Sequence, residues 1–455
     1  MILVKEQKSS KMSNVENSYL ALNNLTQLTN LRLKLHFNKE EVTPEEAQVK
    51  FPMIYDDHSP FANFIQTHQP NFEEYIILLM ALVPHVQVDF FDKIWDAHIP
   101  KTGDFPKIGG LRESNARAFL PTVETALFIL AGDDLEKRFE VQTLFSSEHW
   151  FNKKNIIQVM SAKVGDPFSS AQFILSPEYV ELFTIGKITK PALSLSFPAK
   201  EVKTDLEWSD LILIEKTFQQ IKEVKNWVDH HHTLMEKWGM STKLKPGYRA
   251  LFYGPPGTGK TLTASLLGKY TNREVFRVDL SMVVSKFIGE TEKNLSRLFE
   301  KAANKNWILF FDEADALFGK RTEVNDAQDR YANQGVSYLL QRVENYEGLV
   351  ILSSNYKKNI DDAFVRRFNT IIQFSFPSPT ERLKLWQNAF PTPIKLKKDI
   401  DLDAIANQYK LSGANIMNIV RCVCLELMAE NKKTLSLENL IKGIKREFKK
   451  EGKIN

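Results

Sequence analysis

The sequence predicts a mainly helical N-terminal region followed by an α/β domain, a parallel sheet with helices on both faces, closed by a helical C-terminal subdomain. Three observations carry that prediction. Short apolar runs at Ala250–Tyr253, Val275–Leu280, Trp307–Phe311, Leu349–Leu352 and Thr370–Phe376 alternate with helical stretches, the pattern of strands buried on both sides. Strand signals stop at Pro377 and Pro379, and residues 380–450 read as helices with a Lys-rich end. Before residue 200 the periodicity is mostly helical.

Taken in order, residues 1–60 are polar and read as a flexible segment, or as one amphipathic helix on Leu20, Leu22, Leu25, Leu28, Leu31 and Leu33. Residues 61–190 read as a globular N-terminal domain. Its helices are expected at Phe72–Val83, Phe90–Ile99, Pro121–Ala131 and Asp134–Phe145, and short strands at Phe173–Leu175 and Tyr179–Thr184 around a Ser176-Pro177-Glu178 turn. Helices followed by a small hairpin suggest a winged-helix-like module. Residues 191–206, with Pro191, Pro198 and mixed charge, read as a linker. The α/β part is expected over 207–377 and the helical part over 378–455.

Composition narrows the function classes. The 455 residues are 43% apolar and 25% charged, ordinary for globular proteins, and no apolar run is long enough for a membrane span. Met1–Lys5 is too short an apolar stretch for a signal peptide, and lysines at 5, 8 and 11 keep the next residues polar. Cys422 and Cys424 are the only cysteines and point to different sides of an expected helix, so neither a disulfide nor a zinc site is expected. A cytoplasmic location is the resulting expectation. Residues 1–200 hold 20 Lys and Arg against 24 Asp and Glu, whereas the remainder holds 40 against 32, so the N-terminal region lacks the basic footprint of a nucleic-acid binder. The run His230-His231-His232 lies on an expected helix, Phe218–Trp238, where consecutive residues splay by about 100° and cannot converge on one metal. Trp227, Leu234 and Trp238 are the expected buried face of that helix.

The chemistry concentrates after residue 250. Gly254-Pro255-Pro256-Gly257-Thr258-Gly259-Lys260-Thr261 matches the P-loop pattern between an expected strand and a helix that continues through Leu262. Its glycines permit backbone angles that turn successive N–H groups toward phosphate oxygens, and the helix N-terminus adds its positive dipole end. Lys260 would reach the β- and γ-phosphates of ATP, and the Thr261 hydroxyl would hold Mg²⁺. The run Trp307–Phe311 feeds into Asp312 and Glu313, placing one carboxylate for Mg²⁺ and one to polarise an attacking water. The strand Leu349–Leu352 leads to Ser353-Ser354-Asn355, where an amide can orient that water; Asn355 alone would read as a turn residue.

Together these residues resemble the AAA+ superfamily, specifically its AAA subgroup, over roughly residues 206–425. Trp208-Ser209-Asp210-Leu211 resembles the segment that packs near the adenine, which assigns Asp210 to nucleotide binding. Asn355 falls at the sensor-1 position. Asp362-Ala363-Phe364-Val365-Arg366-Arg367-Phe368 matches the stretch that carries arginine fingers, and Ser412-Gly413-Ala414-Asn415 resembles the lid motif whose small residues, Gly413 and Ala414, approach the base. Adjacent arginines resemble the microtubule-severing and ESCRT-disassembly branch, although such pairs are also common at helix ends. A finger arginine acts on a neighbour's site, so the resemblance implies a homo-oligomer, with a hexamer as the expected ring. A second-sensor arginine is not evident: Met417 stands where one would be, and Arg421 lies a turn further on. Ser285-Lys286-Phe287-Ile288-Gly289-Glu290 looks like a first pore loop gripping extended polypeptide, with Lys286, Phe287 and Ile288 touching substrate, unless Phe287 is an ordinary core residue. Gly319–Arg330 occupies the place of a second pore loop or an inter-subunit contact.

A finer resemblance is carried by Gly289-Glu290-Thr291-Glu292-Lys293-Asn294-Leu295, Ala316-Leu317-Phe318-Gly319-Lys320-Arg321 and Asp329-Arg330-Tyr331-Ala332-Asn333. These segments look like the bacterial AAA+ ATPases encoded with extracellular contractile injection systems. The leading expectation is therefore an ATP-hydrolysing motor that remodels protein partners, such as components of a phage-tail-like particle. The alternatives are a nucleotide-switched DNA-binding ATPase using the winged-helix-like region, and an assembly scaffold for which turnover is incidental.

Overall fold

The computed structural model describes residues 2–38, 59–98, 106–112, 118–160, 165–194, 197–283, 290–303, 305–314, 327–355, 365–450 and 452, with side chains 2–16, 38 and 327–334 left out. The candidates Lys286, Phe287 and Ile288, and residues 315–326 and 362–364, therefore lie outside the described residues. The chain divides into two compact units, Met1–Lys190 and Pro191–Asn455.

In the first unit, a helix at Ile2–Leu33 contributes Ala21, Leu25, Leu28 and Leu33 to a shared core, while Leu22 and Leu31 are half-buried and Leu20 is exposed. The helix Phe72–Val86 starts in a capping box between Asn71 and Glu74 and is buried continuously from Tyr75 to Val83. Arg32 donates from Nε to the Ile129 carbonyl (3.0 Å) and from Nη2 to that of Leu130 (3.1 Å), satisfying the last turn of Val123–Ala131. No single described helix is long and apolar enough to cross a membrane. Phe72–Val86 and Phe90–His98 together have the composition but are bent by 105° and bury their apolar residues in this core.

The expected hairpin is corrected. Strand β1, Ile157–Val159, pairs antiparallel with β2, Phe173–Leu175, whereas Tyr179–Thr184 lies in a helix, Pro177–Thr184. Ser176 sits at the N-cap and Pro177 in the first turn, where its missing N–H costs nothing, so the Ser-Pro-Glu step starts a helix rather than a turn.

In the second unit, six strands lie in the order β3 (Ala199–Glu201), β5 (Val275–Val278), β6 (Ile308–Phe311), β7 (Leu349–Ser354), β4 (Tyr248–Tyr253) and β8 (Thr370–Gln373). All neighbours are parallel except β3, which runs antiparallel to β5 at the edge. Alternation explains the two covered faces. Ala250, Phe252, Ile308, Phe310, Leu349 and Ile351 pack with Ile221, Val224, Ala264 and Leu267 on one side. Leu251, Leu309, Phe311, Val350 and Leu352 pack with Leu295, Leu298, Leu339 and Val343 on the other. Each fully buried Phe or Leu contributes about 2 kcal/mol.

Two details differ from expectation. The second strand ends at Val278, and Leu280 already begins a short helix. The helix Glu215–His232 buries Val224 and Val228, while Trp238 comes after a π-turn and is 75% exposed. Trp227 does pack, against His231 and Tyr248.

After β8 the chain enters helices at Pro379–Ala389, Leu402–Gln408, Gly413–Ala429 and Leu437–Lys450 around the fully buried Trp386. Ser378 and Glu381 form a capping box at the first of these, and Arg382 donates to the carbonyls of Pro377 (2.6 Å) and Ala406 (2.7 Å), fixing where the sheet ends and the helical part begins.

Candidate functional site

Parallel strands deliver their C-terminal ends to one edge of the sheet, and a cavity of about 580 Å³ opens there. β4 runs into Gly254, Gly257 and Gly259, with φ of +150°, +74° and +99°. The turn has no room for side chains at two of them. A Cβ on Gly254 would meet the Phe374 carbonyl oxygen at 1.9 Å, and one on Gly257 would meet Ala414 Cβ at 2.6 Å. The Thr258 hydroxyl donates to the Pro255 carbonyl (2.8 Å), tightening the loop, and Gly259 ends it as the N-cap of the helix Lys260–Thr271.

Lys260 is nearly buried, and its Nζ donates to the carbonyls of Gly254 (2.6 Å) and Pro255 (3.0 Å) and to Asn355 Oδ1 (3.2 Å). The ammonium thus spans the loop and the end of β7. At the end of β6, the Glu313 N–H donates to Asp312 Oδ1 (3.1 Å) and the Ala314 N–H to the Ser353 carbonyl (2.8 Å). Glu313 is held in the left-handed region at φ +52°, strain of the kind that gathers at reacting centres.

The helical part closes the cavity. Ser412 and Asn415 form a capping box at Gly413–Ala429, and Asn415 Nδ2 donates to the buried carboxylate of Glu447 (3.1 Å). Asn415 therefore holds the turn, which lets small Gly413 and Ala414 come close, and the Ala414 N–H donates to the Gly257 carbonyl (3.2 Å).

Pro256, Gly257, Thr258, Gly259, Lys260, Thr261, Leu262, Asp210, Asp312, Glu313, Asn355, Gly413 and Ala414 all line this one cavity. Gly254 and Pro255 serve it from behind, through the carbonyls that hold Lys260. Asp210 Oδ2 also accepts from the Glu207 N–H (2.8 Å), which orders the segment before the cavity. Several lining residues have no assignment from sequence: Ile212, Leu213 and Ile214 extend the apolar wall begun by Leu211, and Leu385, Asn388 and Ala389 face them from the helical part. The apolar run after Asp210 is the available signal. Met417 lines the cavity, whereas Arg421 bonds Asn418 (3.3 Å) and does not. Among the described residues Lys260 is the cavity's only Lys or Arg, against Asp210, Asp312, Glu313 and Glu381.

Arg366 and Arg367 stand apart. They precede β8, which runs parallel to β4 and whose first residue, Thr370, pairs with Ala250, so they lie towards the opposite edge of the sheet from the glycine loop. Arg366 is exposed, and Arg367 Nη1 is 2.7 Å from Glu344 Oε1.

Residues 250–376 match the family described as ATPase family associated with various cellular activities (AAA). This stretch is an AAA ATPase domain. It holds every strand from β4 to β8 except the first two residues of β4, and the helical part after it completes the cavity. Around the AAA domain, the chain is 29% identical over 267 residues to the proteasome-activating nucleotidase of Methanocaldococcus jannaschii, covering 56% of this chain and 61% of that one. It is 33% identical over 233 residues to the corresponding protein of Methanococcus maripaludis, with 50% and 55% covered. With the 26S proteasome regulatory subunit 6B homolog of Dictyostelium discoideum it shares 29% over 240 residues, with 51% and 58% covered. The similarity spans between 55% and 61% of these relatives' lengths.

The residues present fit a nucleoside triphosphate with a divalent cation. A backbone cradle that excludes Cβ atoms, a buried ammonium, a hydroxyl and carboxylate at Thr261 and Asp312, and an apolar wall for a base share one cavity.

Proposed function

We propose that the protein hydrolyses ATP as a ring-forming oligomer and uses the energy to remodel protein partners. The observation that carries this reading is the convergence of Lys260, Thr261, Asp312, Glu313 and Asn355 on one cavity at the ends of β4, β6 and β7. Lys260 leaves its carbonyl partners to neutralise the phosphates, and the loop N–H groups of Gly257 to Lys260 hold them. Thr261 and Asp312 would hold Mg²⁺, which would supply charge neutralisation at the transferred phosphate. Glu313 takes the proton of an attacking water that the Asn355 amide aligns.

β4 separates Arg249 from Gly254 by five residues, about 16 Å at the rise of a strand, so an arginine at the start of β8 is far from its own phosphate site. Arg366 or Arg367 therefore serves the site of a neighbouring copy, where a guanidinium stabilises transition-state charge. Six copies, with Phe287 flanked by Lys286 and Ile288 gripping polypeptide in a central pore, are proposed from the resemblance to AAA motors. The relatives named as proteasome-activating nucleotidases support a protein substrate. Action on a phage-tail-like particle rests on the resemblance of Gly289–Leu295, Ala316–Arg321 and Asp329–Asn333 alone. The acidic balance of residues 1–200 speaks against DNA as the partner of the N-terminal unit.

Glu313→Gln separates the steps: it is expected to bind ATP, to lose turnover, and to retain protein partners for identification. Mixing an Arg366→Ala/Arg367→Ala variant with Lys260→Ala should restore some activity, because a mixed ring contains some intact interfaces. Wild-type turnover by Glu313→Gln sinks the assignment of the base, and full activity in a monomer sinks the oligomer.

A further inference from the structure

The helix Leu437–Lys450 carries its buried face on Leu440, Gly443, Ile444 and Glu447, the spacing of an apolar stripe. A carboxylate therefore stands where the stripe calls for an apolar side chain, and Glu447 is 8% exposed. Close packing brings it there. A Cβ on Gly443 would meet Val423 Cγ2 at 2.9 Å and Ile419 Cγ2 at 3.1 Å, so this helix and Gly413–Ala429 approach closely one turn before Glu447.

A buried carboxylate is costly unless it is hydrogen-bonded. Glu447 Oε1 accepts from Asn415 Nδ2 (3.1 Å) and from Asn418 Nδ2 (3.2 Å), side chains three residues apart on one face of the opposing helix. Lys450 Nζ lies 3.5 Å from the same oxygen, but its side chain is 67% exposed, so water weakens that ion pair and the amides carry the burial.

The two amides lead to different places. Asn415 Oδ1 accepts from the Ser412 N–H (3.0 Å) and Oγ (2.6 Å), and the Asn415 N–H donates back to Ser412 Oγ (3.2 Å). An amide whose NH₂ is spent on a carboxylate must turn its oxygen the other way, so Glu447 decides that Asn415 presents an acceptor to Ser412. Ser412 Oγ lies so near the glycine loop that a Cβ on Gly257 would meet it at 2.8 Å. Asn418 instead accepts from Arg421 Nη2 (3.3 Å), and neither of them lines the cavity. Nor does Glu447 itself.

We propose that Glu447 is a positioning residue for nucleotide binding: by fixing the Asn415 amide it holds the turn Ser412–Ala414 against the glycine loop, so the helix Leu437–Lys450 sets the cavity's affinity for ATP from outside it. The inference rests on the reading of the cavity as an ATP site. The turn shapes the pocket for bound ATP and for its transition state alike, so the effect belongs in binding and KM rather than in kcat.

The test uses the full chain and measures the affinity of a fluorescent ATP analogue, KM, kcat and melting. Glu447→Leu keeps the stripe apolar and removes the acceptor; it should weaken analogue binding and raise KM about tenfold, with kcat within about threefold of wild type. Glu447→Gln retains an acceptor oxygen and should stay within about threefold of wild type in every reading. Asn418→Ala and Lys450→Ala leave Asn415 paired and should bind the analogue within about twofold of wild type. Asn415→Asp keeps the acceptor toward Ser412 but sets two carboxylates against each other, and should weaken binding about tenfold. Combining it with Glu447→Gln restores a donor between the two side chains and should recover most of the loss. If Glu447→Leu does not fold, this exchange carries the test. Wild-type affinity in Glu447→Leu overturns the proposal, as does a loss in Asn418→Ala equal to that in Glu447→Leu, or no recovery in the exchange. A wild type that binds the analogue without turnover overturns the hydrolysis reading and leaves the affinity comparison intact. One that binds no analogue overturns the ATP site and this proposal with it.

Discussion

Replacing Glu313 separates its chemical role from its backbone strain. The residue sits at φ +52°, a region that costs an L-residue about 1–2 kcal/mol and costs glycine nothing. Alanine keeps the strain and removes the carboxylate; glycine removes both. Against the relief stands the greater freedom of glycine in the unfolded chain, about 0.4–1 kcal/mol. Glu313→Gly should therefore be more stable than Glu313→Ala by about 0.5–1 kcal/mol, or about 1–3 °C in a unit of this size. At positions with ordinary φ the sign is the reverse. Calorimetry on the full chain can read the difference in the transition that ATP analogues shift upward, since binding stabilises only the unit that binds. Both variants should lose turnover by about two to four orders of magnitude, the usual contribution of a general base. A glycine variant that melts at or below the alanine variant refutes the strain argument, and turnover in either refutes the catalytic one.

Gly257→Val places a branched side chain where even a Cβ would meet Ala414 at 2.6 Å, so it should push the helical part off the loop and weaken ATP-analogue binding at least about tenfold. Unchanged affinity in a titration would show that this contact does not shape the site. In the first unit, burial pushes the Glu74 pKa up, but hydrogen bonds from Trp150, the Asn71 N–H and His149 outweigh it, and the net pKa lies below the usual carboxyl value. A depressed folded pKa stabilises fully above the unfolded value, near 4.5, and the stabilisation fades as pH falls through the folded value. Glu74→Gln should thus lower the stability of this unit by about 1–2 kcal/mol at pH 7, with the gap to wild type closing as pH falls through the depressed folded pKa. Melting curves across pH that keep a constant gap would contradict it.

Burial decides which elements are legible in the sequence. The five parallel strands are readable because both faces are covered, leaving uninterrupted apolar runs such as Ile308–Phe311, and the glycine loop is readable because its backbone angles exclude other residues. β3 is not, since a three-residue edge strand, Ala-Lys-Glu, has one paired neighbour and the composition of a linker. Tyr179–Thr184 misleads through its aromatic and branched residues, which pack as a helix against Phe64 once Ser176 and Pro177 start it. Hydrophobicity alone assigns Trp238 inward, but the helix has already ended before it. The wall Leu211–Ile214 can be seen as apolar but not as part of a cavity, because its counterpart, Leu385 to Ala389, lies far along the chain.

Charge within the cavity argues for a second chain independently of distance. Its described lining offers one ammonium, Lys260, against four carboxylates, and the helical part contributes the thioether of Met417 where a guanidinium would have helped. A triphosphate adds further negative charge, and a divalent cation held by Thr261 and Asp312 offsets only part of it. In the proposed reaction, charge moving onto the leaving oxygen is met by a cation from outside the chain's own site. The exposed Arg366 and Arg367, carried at the far edge of the sheet, are the cations proposed to meet that need in another copy's cavity. On the proposed reading, dilute, dissociated protein has a low intrinsic rate, and each copy's turnover comes under the control of the neighbour that supplies the arginine.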